Sequence, residues 1–486
     1  MRYPVSSSAG ARALDAHTIH TLGVPALGLM EIAGVQVVRL LTTDLADAAS
    51  RGVVVVAGHG NNGGDGWVVA RHLHRRGVEV GVWPTSGPPS ADCETMRRAA
   101  EACGVQVLDG LRPCGLIVDA LVGTGLQSAL RDEVAERVAA INGHGAPVLA
   151  VDMPSGLCGD TGRVLGVAVE AALTVTFDRP RIGQLLEPGA DRVGRLVVVD
   201  IGLIGAADEV AGIVDGAEIA PLLPRRAAAS HKRTHGHLGV IAGSPRMAGA
   251  AILSCHAALR AGCGLVTLLV EEETLPRLAQ LRPEVMVRVE PAPGPEHCND
   301  FSALAVGPGV GTGKSKVAWL RRLWRDARPP AVFDADGLTA LIGVYGRSRF
   351  QRCLTPHPGE AGRLLGLTTE AVQRDRLGVV ARLATSHPTL LKGRHTLVAG
   401  ERVWVNRTGT ADLATAGSGD VLTGLVGALL AQGVAPESAL VAGAFVHGLA
   451  GELCGRGLVA SDLVERLPDA MGGVADRVDV LERRSI

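Results

Sequence analysis

The stretch of the chain best suited to chemistry is a glycine-rich run that leads into an apolar segment, residues 406–427, NRTGTADLATAGSGDVLTGLVG. Gly417 and Gly419 allow positive φ angles, so successive backbone N–H groups can point at one anion, and a helix start adds partial positive charge. Asp420 follows directly and could accept a proton from a hydroxyl group that is about to receive a phosphoryl group. The alternative for Asp420 is a helix N-cap, a common position for aspartate.

Three loops in the first half of the chain form a second candidate site. Apolar runs at residues 53–57, 116–122 and 147–151 are followed by glycine-rich or acidic loops, which begin at Gly58, Gly123 and Asp152. Because the carboxyl ends of parallel strands line one crevice, we expect the three loops to converge. The side-chain amides of Asn61 and Asn62 offer carbonyl oxygens to a cation or a ligand. The alternative is that the aspartates at these strand ends only form turns.

The second half of the chain repeats the pattern of apolar runs and polar loops. The segment GPGVGTGKS at 307–315 is similar to a P-loop, but Pro308 occupies the position of the first Walker glycine, so we exclude a P-loop NTPase. Residues 332–338, VFDADGL, end a strand in two carboxylates, and Lys392 and Thr396 flank a glycine in a segment suited to hold a nucleotide. His357 stands between two prolines and is expected to point into a site, or else to bond to its own loop.

Composition favours small-molecule chemistry in a cytoplasmic enzyme. The 486-residue chain has a formal net charge of -1, which gives no basic field for nucleic acid or for a membrane surface. We find no leader-like N-terminus and expect no segment to approach the roughly 18 apolar residues of a membrane span. The 9 cysteines show no CxxC pair or zinc spacing, so they are predicted to be reduced thiols. Aromatic residues are only 2% of the chain, so ligand binding should depend on backbone amides.

The length and the pattern predict two α/β domains, each with its own core. The first, residues 1–215, is predicted to be a Rossmann-like parallel sheet with helices on both faces. The second covers residues 220–486, and the two are joined by a segment within 205–235 that carries a basic cluster. We expect this cluster to be a solvated face, or alternatively to touch nucleotide phosphates; it contains Arg225, Arg226, His231, Lys232 and Arg233.

Ten motifs, in order, resemble the family of bifunctional NAD(P)H-hydrate repair enzymes over nearly the whole chain. The N-terminal motifs are GHGNNGGDG, DALVGTG, VDMPSG and Asp160-Thr161-Gly162. The C-terminal motifs are GAAILSCHAALRAG, VGPGVG, DADGL, LTPHPGE, LKGRHT and TAGSGDVLTG. The resemblance implies an N-terminal NAD(P)HX epimerase domain and a C-terminal, ribokinase-like NAD(P)HX dehydratase domain.

The resemblance also implies site residues. In the first domain the hydrate would be bound by Asp152 together with Asn61, Asn62, Gly63, Gly64, Asp65, Gly123, Thr124, Gly125, Leu126, Gln127, Ser128 and Ala129. A potassium ion would be bound by Asn62, Asp119 and Ser155. In the second domain the hydrate positions are Ala250, Gly309, His357 and Asp420, and the adenine-nucleotide positions are Lys392, Gly393, Arg394, His395, Thr396 and Gly419.

The catalytic residues are then expected to be Asp420 in the dehydratase and Asp152 in the epimerase, with Asp65 and Asp119 as competitors of Asp152. The implied small-molecule partners are NADHX or NADPHX and ADP, with Mg²⁺ in the second domain, and the chain is expected to form a homo-oligomer.

The chain departs from the family pattern at Thr410 and Ala416, where an Asn and a Gly are usual, and at Arg181, where a Lys is usual.

Two other functions remain open at this point. One is a ribokinase-type alcohol kinase that stops at the phosphorylated product. The other makes the N-terminal half a non-catalytic binding module.

Overall fold

The computed structural model describes residues 3–205, 208–290, 292–346, 348–477 and 482–484. Within these residues the chain forms two compact units. The first contains Tyr3–Ala211 and the C-terminal strand, and the second begins at Gly212. Both units are α/β, which confirms the predicted fold class.

The first unit is built on a sheet whose paired strands all run parallel. The unit begins with a short strand, β1 (Tyr3–Val5), which lies outside this sheet. The sheet contains β2 (Val53–Ala57), β3 (Val80–Pro84), β4 (Gln106–Val107), β5 (Leu116–Ala120), β6 (Val148–Val151), β7 (Leu173–Phe177) and β8 (Arg195–Val199). The C-terminal strand Glu482–Arg484, β19 in chain order, pairs with β8, so the order from this edge is β19-β8-β7-β6-β5-β2-β3-β4.

The helices of the first unit cover both faces of this sheet, as the near-continuous valine run of β2 predicts. They are α1 (Ser8–Ala16), α2 (Ala26–Asp44), α3 (Ala46–Ala49), α4 (Asn61–Arg75), α5 (Ala91–Ala102), α6 (Asp132–His144) and α7 (Gly189–Arg192), with a π-helical turn at His17–Thr21 and a 3₁₀ turn at Ile182–Gln184. Alternate side chains of β2 point to opposite faces. Val53 and Val55 join a core with α2 and α4, whereas Val54 and Val56 join one with α6.

Helix α2 is long and apolar enough, by length and composition, to cross a membrane, which corrects the expectation that no segment is. Half of its apolar window is buried within the protein. Its buried residues, including Val37, Val38 and Leu41, pack in the core beside α4. The apolar character of α2 therefore has an explanation in the packing of the first unit.

The structure also corrects where α4 begins. The sequence predicted a glycine-rich loop from Gly58 onwards, but the helix already begins at Asn61. The glycines of this segment fit tight packing rather than a loop. A Cβ atom on Gly63 would lie 1.9 Å from the carbonyl oxygen of Gly58, and one on Gly64 would lie 2.5 Å from the sulfur of Met30. The glycines thus let the first turn of α4 sit directly against the end of β2.

The second unit contains a mixed sheet ordered β9-β18-β17-β16-β15-β14-β13-β10-β11-β12, in which β17 runs antiparallel to both of its neighbours. The strands are β9 (Ala211–Ile213), β10 (His237–Ile241), β11 (Leu265–Val270), β12 (Val285–Val289), β13 (Ala303–Val306), β14 (Ala331–Phe333), β15 (Arg352–Leu354), β16 (Thr389–Leu391), β17 (Thr396–Ala399) and β18 (Val403–Asn406). Strand β9 lies in the segment predicted to be a link, whose basic side chains from Arg225 to Arg233 are exposed.

The helices of the second unit are α8 (Gly216–Ile219), α9 (Ala248–Arg260), α10 (Lys314–Asp326), α11 (Asp336–Ala340), α12 (Pro358–Leu365), α13 (Thr369–Arg374), α14 (Arg376–Ala384), α15 (Ser418–Ala431), α16 (Pro436–Cys454) and α17 (Ala460–Gly473). Short 3₁₀ turns lie at Ala220–Leu222, Lys232–His235, Glu272–Arg277, Pro295–Cys298, Ala411–Leu413 and Val474–Asp476.

Helices α9 and α15 pack unusually closely because a glycine lies at their crossing. A Cβ atom on Gly424 would lie 2.1 Å from the carbonyl oxygen of Ser254. Next to it, the Ser254 hydroxyl donates a hydrogen bond of 3.0 Å to the carbonyl oxygen of Asp420. The position of Asp420 therefore depends on the close approach of these two helices.

We predict that Gly424→Ala lowers the stability of the protein by about 1–3 kcal/mol, since the added methyl group forces the two helices apart. Thermal unfolding would measure the loss. Gly472→Ala is the matched control, because Gly472 is an exposed helical glycine whose Cβ position is open. That control should be neutral or slightly stabilising. Equal melting temperatures for the Gly424→Ala protein and the wild type would contradict the packing argument.

Candidate active sites

The predicted convergence of loops in the first unit occurs at the carboxyl ends of β2, β5 and β6, with β5 lying between the other two. A cavity of about 480 Å³ opens there. Among the predicted site residues, its lining contains Asn61, Asn62, Asp65, Gly123, Thr124, Gly125 and Asp152. The loops therefore converge as the open-sheet rule predicts.

Other residues predicted for this site lie outside the cavity lining. Gly63 and Gly64 are buried inside the first turn of α4, where they make the close contacts described above. Leu126 is half-buried, and Gln127, Ser128 and Ala129 are exposed on the loop that follows Gly125.

Asp152 is held in a fixed position by the segments around it. Its φ angle of 64° lies in the left-handed region, which is uncommon for a residue other than glycine. One carboxylate oxygen accepts a hydrogen bond of 2.8 Å from the Thr124 amide. The other oxygen accepts bonds from the Thr176 hydroxyl at 3.3 Å and the Arg181 guanidinium at 3.4 Å.

Arg181, where the family pattern has a lysine, is therefore an ion-pair partner of Asp152. Its Nε atom also donates a hydrogen bond of 3.0 Å to the Thr124 hydroxyl. The guanidinium is only 7% exposed, so the pair is shielded from solvent. The forked arginine thus contacts both the loop after β5 and the loop after β6.

Two more carboxyl groups in the same cavity hold a proton more tightly than usual. Burial raises the pKa of Asp65 well above its usual value, and the charges of Asp152 and Asp15 raise it further. Burial also raises the pKa of Asp15 to about 6, although the Arg181 charge opposes the shift. Sequence reasoning missed Asp15, because it lies on α1 far from any strand end, in a segment without a motif.

Behind the cavity, Asp119 and Ser155 form a buried oxygen-rich cluster. The Ser155 hydroxyl donates to Asp119 Oδ1 at 2.7 Å, and the Ser155 amide donates to Oδ2 at 2.8 Å. Burial raises the pKa of Asp119 to about 6, despite these hydrogen bonds. Asn62 Oδ1 lies near Gly123, on the segment whose Val122 amide donates to the Ser155 hydroxyl. The three predicted metal ligands thus border one segment, residues 122–123.

The second candidate site lies where the glycine-rich run meets α15. The N-cap of α15 is Gly417, with a φ angle of 87°, and Asp420 is the third helical residue. The N-cap alternative for Asp420 is therefore wrong. Gly417, Gly419 and Asp420 are all partly exposed, so the carboxyl group is not sealed by packed side chains.

The charges around Asp420 raise its affinity for a proton. Burial raises its pKa to about 6, with a further contribution from Asp334, and Lys392 opposes the shift. Lys392 Nζ donates a hydrogen bond of 2.7 Å to Asp334 Oδ1. The other Asp334 oxygen accepts a bond of 2.7 Å from the Thr423 hydroxyl, one turn along α15 from Asp420. Asp334 thus connects Lys392 to α15 through two hydrogen bonds.

Lys392 keeps its charge in this buried position. Burial alone would lower its pKa, but Asp334, Glu360 and Asp420 outweigh burial and raise it. A Cβ atom on Gly419 would lie only 3.2 Å from Lys392 Nζ, so the predicted nucleotide positions Lys392 and Gly419 are neighbours. The ammonium group lies directly beside the glycine turn.

The remaining predicted hydrate positions fall at the edges of this site. A Cβ atom on Gly309 would lie 3.2 Å from the Ala250 Cβ atom, so these two positions adjoin. His357 is the N-cap of α12, and its Nδ1 accepts a hydrogen bond of 3.1 Å from the Gly359 amide. This is the local bond foreseen as the alternative for His357, although the side chain remains 50% exposed.

A larger cavity, of about 920 Å³, lies at the other end of the sheet of the second unit, near the first residues of β15 and β16. Its lining includes Arg352, His387, Arg402 and Glu437 and none of the predicted site residues.

Comparison with known proteins assigns both units. Residues 26–183 match the family profile described as the YjeF-related protein N-terminus. Residues 238–469 match the profile described as NAD(P)H-hydrate dehydratase. A curated bifunctional NAD(P)H-hydrate repair enzyme from Moorella thermoacetica is 36% identical to the chain, over 94% of each sequence. The chain belongs to the bifunctional NAD(P)H-hydrate repair enzyme family.

Other members of the repair enzyme family have a similar extent. The Escherichia coli member is 34% identical to this chain, over 92% of the chain and 90% of its own length. Among solved structures, an ADP/ATP-dependent NAD(P)H-hydrate dehydratase from Bacillus subtilis, co-crystallised with ATP and Mg²⁺, is 29% identical with a TM-score of 0.50. It covers 55% of this chain and 100% of its own. The resemblance inferred from the ten motifs is confirmed.

We predict that Asp65→Asn stabilises the protein at neutral pH and has little effect near pH 4. The raised pKa means that the folded state holds the Asp65 proton more tightly than the unfolded state does. The contribution of Asp65 to the free energy of unfolding is complete below the pKa that this carboxyl has in the unfolded state. It is lost as pH rises towards the pKa in the folded state, at up to about 1.4 kcal/mol per pH unit.

Melting temperatures of wild type and Asp65→Asn between pH 4 and pH 8 would measure this difference. Asp47→Asn, at an exposed position of the same unit, controls for the loss of one negative charge. A difference between wild type and Asp65→Asn that stays constant over this pH range would show that Asp65 is not a proton-holding carboxyl.

Proposed function

We propose that this chain repairs hydrated NAD(P)H in two steps, one in each unit. The first unit interconverts the R and S epimers of the hydrate. The second removes water from the S epimer and consumes ADP, which leaves as AMP and phosphate. Its expected location is the cytoplasm. The observation that carries the proposal is the partly exposed Asp420 carboxyl beside Lys392 and the Gly417–Gly419 turn.

The dehydration needs activation of the hydroxyl group on C6 of the nicotinamide ring, because hydroxide is a poor leaving group. Transfer of the terminal phosphoryl group of ADP to this oxygen breaks the phosphoanhydride bond and releases AMP. The lone pair of the ring nitrogen then expels phosphate as the C6–O bond breaks. Loss of the C5 proton restores the 5,6 double bond.

Asp420 is proposed to accept the hydroxyl proton as the phosphoryl group is transferred. A pKa of about 6 places this carboxyl near the optimum for a base at neutral pH, ionised yet able to hold a proton. The backbone amides at residues 417–420 and the start of α15 would stabilise the charge on the phosphoryl group. Lys392, fixed by Asp334, would supply a cation beside the same group.

The nucleotide is proposed to bind along Lys392–Thr396 and Gly419. The related Bacillus subtilis dehydratase was crystallised with ATP and Mg²⁺, which supports a nucleotide with this ion at the corresponding site. We find no group of three His, Cys, Asp or Glu side chains placed to bind a metal among the described residues. Mg²⁺ is usually bound mainly by nucleotide phosphates. When bound, it would neutralise charge on the phosphates.

In the first unit, Asp152 is proposed to move the proton during epimerisation. Loss of water assisted by the ring nitrogen gives a planar C6, and water can return to either face. This requires a proton donor and a proton acceptor. The arginine-paired Asp152 suits the acceptor, and Asp65, whose pKa burial raises well above its usual value, suits the donor.

A potassium ion is proposed at Asn62, Asp119 and Ser155. All three side chains offer oxygen atoms, the ligands that hard cations prefer. Burial raises the pKa of Asp119, and a cation would offset that cost of ionisation.

We predict that Asp420→Asn lowers the dehydratase rate by about 10²- to 10⁴-fold, the range typical for loss of a general base. The assay mixes purified protein with the S hydrate and ADP and follows the return of dihydronicotinamide absorbance. In the wild type, kcat/KM should fall as pH drops through about 6, because Asp420 becomes protonated.

Asp469→Asn, in a surface ion pair with Arg466, is the control and should be as active as wild type. Near-full activity of Asp420→Asn would rule out Asp420 as the base. Accumulation of a phosphorylated substrate without NAD(P)H would instead identify an alcohol kinase.

We predict that Asp152→Asn abolishes epimerisation and spares dehydration. Asparagine tolerates the left-handed backbone conformation of Asp152, so the fold should be kept. The full chain would be given either pure R or pure S hydrate. With the R hydrate, NAD(P)H formation should slow by about 10²-fold or more. With the S hydrate, the rate should match wild type.

Asp178→Asn is a matched control, because Asp178 has the same left-handed conformation, with a φ angle of 60°. Wild-type epimerisation in the Asp152→Asn protein would overturn this role. A wild-type chain that cannot use the R hydrate would mean that the first unit is a non-catalytic binding module.

A further inference from the structure

Two arginines adjoin the proposed nucleotide segment at one end of the β17–β18 hairpin. Thr396, the first residue of β17, pairs with Asn406, the last residue of β18. Arg407 follows Asn406, and Arg394 precedes Thr396 by two residues, so the chain register brings both to the same end of the hairpin. Arg394 lies within the segment already proposed to bind nucleotide. Arg407 has had no role so far.

Arg407 is a buried cation whose N–H groups are not satisfied. Its Nε and Nη1 atoms are inaccessible to solvent and have no hydrogen-bond partner within the described residues. The residue as a whole is partly exposed, so it can still be approached from outside. Burial lowers the pKa of Arg407 to about 10, and the charge of Arg394 lowers it further. Arg407 therefore stays charged at neutral pH.

This arrangement costs stability unless an anion is present. Among the described residues, the only charged group that shifts the pKa of Arg407 is another arginine, Arg394. Unpaired charges and unsatisfied N–H groups are both expensive to bury. A structural arginine in this chain looks different. Arg352 is also buried, and its guanidinium donates hydrogen bonds to the carbonyl oxygens of Trp324, Pro329 and Ala327.

The backbone on both sides of the pair is fixed. The Arg376 guanidinium donates to the carbonyl oxygen of Arg394 at 2.6 Å and to that of His395 at 3.4 Å. On the other side, the Thr408 hydroxyl donates to the carbonyl oxygen of Phe445 at 2.9 Å, and Asn406 Nδ2 donates to that of Ala444 at 3.2 Å. Both chain segments are thus attached to rigid elements before any ligand binds, which lowers the cost of binding.

We propose that Arg407, together with Arg394, binds a phosphate group of the adenine nucleotide consumed by the second unit. The planar guanidinium fork matches phosphate oxygens with two parallel hydrogen bonds, and a phosphate would satisfy the N–H groups and offset the paired positive charge. This inference rests on the proposed dehydratase function. It adds a second phosphate contact, distinct from the Gly417–Gly419 turn and from Lys392.

The test compares Arg407→Met with wild type in equilibrium binding of AMP and of adenosine, measured by calorimetry on the full chain. Methionine keeps a long side chain and removes the charge. We expect Arg407→Met to weaken AMP binding by about 10- to 100-fold, as for loss of charge-assisted hydrogen bonds, and to leave adenosine binding unchanged. The control is Arg402→Met, at an exposed position in the turn at the opposite end of the same hairpin. It should bind AMP like wild type.

A melting-temperature measurement separates ligand binding from a structural role. Without ligand, Arg407→Met should melt at or above the wild-type temperature, because an unpaired buried charge has been removed. With saturating AMP, the wild type should be stabilised more than the variant. A lower melting temperature without ligand, combined with unchanged AMP affinity, would show that Arg407 is structural and would overturn the proposal.

A second arm identifies which phosphate is bound. NADH and NADPH share the adenosine and pyrophosphate groups and differ by a 2′-phosphate. If Arg407→Met weakened NADPH binding and not AMP binding, the site would belong to the dinucleotide, and the proposal as stated would be wrong. A wild type that binds AMP tightly yet forms no NAD(P)H from the hydrate would refute the proposed function and leave the phosphate contact standing.

Discussion

The second unit depends on an imbalance of charge around Lys392. One buried ammonium is shared by the carboxyl groups of Asp334, Glu360 and Asp420. Asp334 has the direct hydrogen bond and a second one from Thr423, so its charge is compensated. Burial raises the pKa of Asp420, the charge of Asp334 raises it further, and the charge of Lys392 opposes the shift without cancelling it.

The two units share one arrangement of strands and loops but are suited to two different reactions. In each, parallel strands end in a row, and the polar groups on the loops after them face one region. The first unit gathers several carboxyls near Arg181, which favours proton transfer. The second places a lysine and backbone amides beside Asp420, which favours phosphoryl transfer. The chemistry is therefore set by the loops rather than by the sheets.

Elements with strong local signals could be predicted from the sequence. The strand Val53–Ala57 has the predicted bounds, because a continuous apolar run that ends at a glycine-rich loop favours a buried strand of an open sheet. The start of α4 was missed because glycines at 63, 64 and 66 suggest a loop, whereas here they allow close packing. Residues such as Asp15, which reach the site from a distant part of the chain, carry no local signal and are identified only from the three-dimensional structure. The homo-oligomer, the metal sites and the domain limits stay predictions.

The strand Glu482–Arg484 completes the sheet of the first unit from the far end of the chain. Its backbone pairs with β8, and the Arg484 side chain donates to Asp44 on α2 at 3.1 Å. During synthesis on the ribosome, one edge of β8 therefore stays unpaired until the whole second unit has been translated. Open edges invite pairing with other chains. The first half of the nascent chain thus depends on residues that are translated after the second unit.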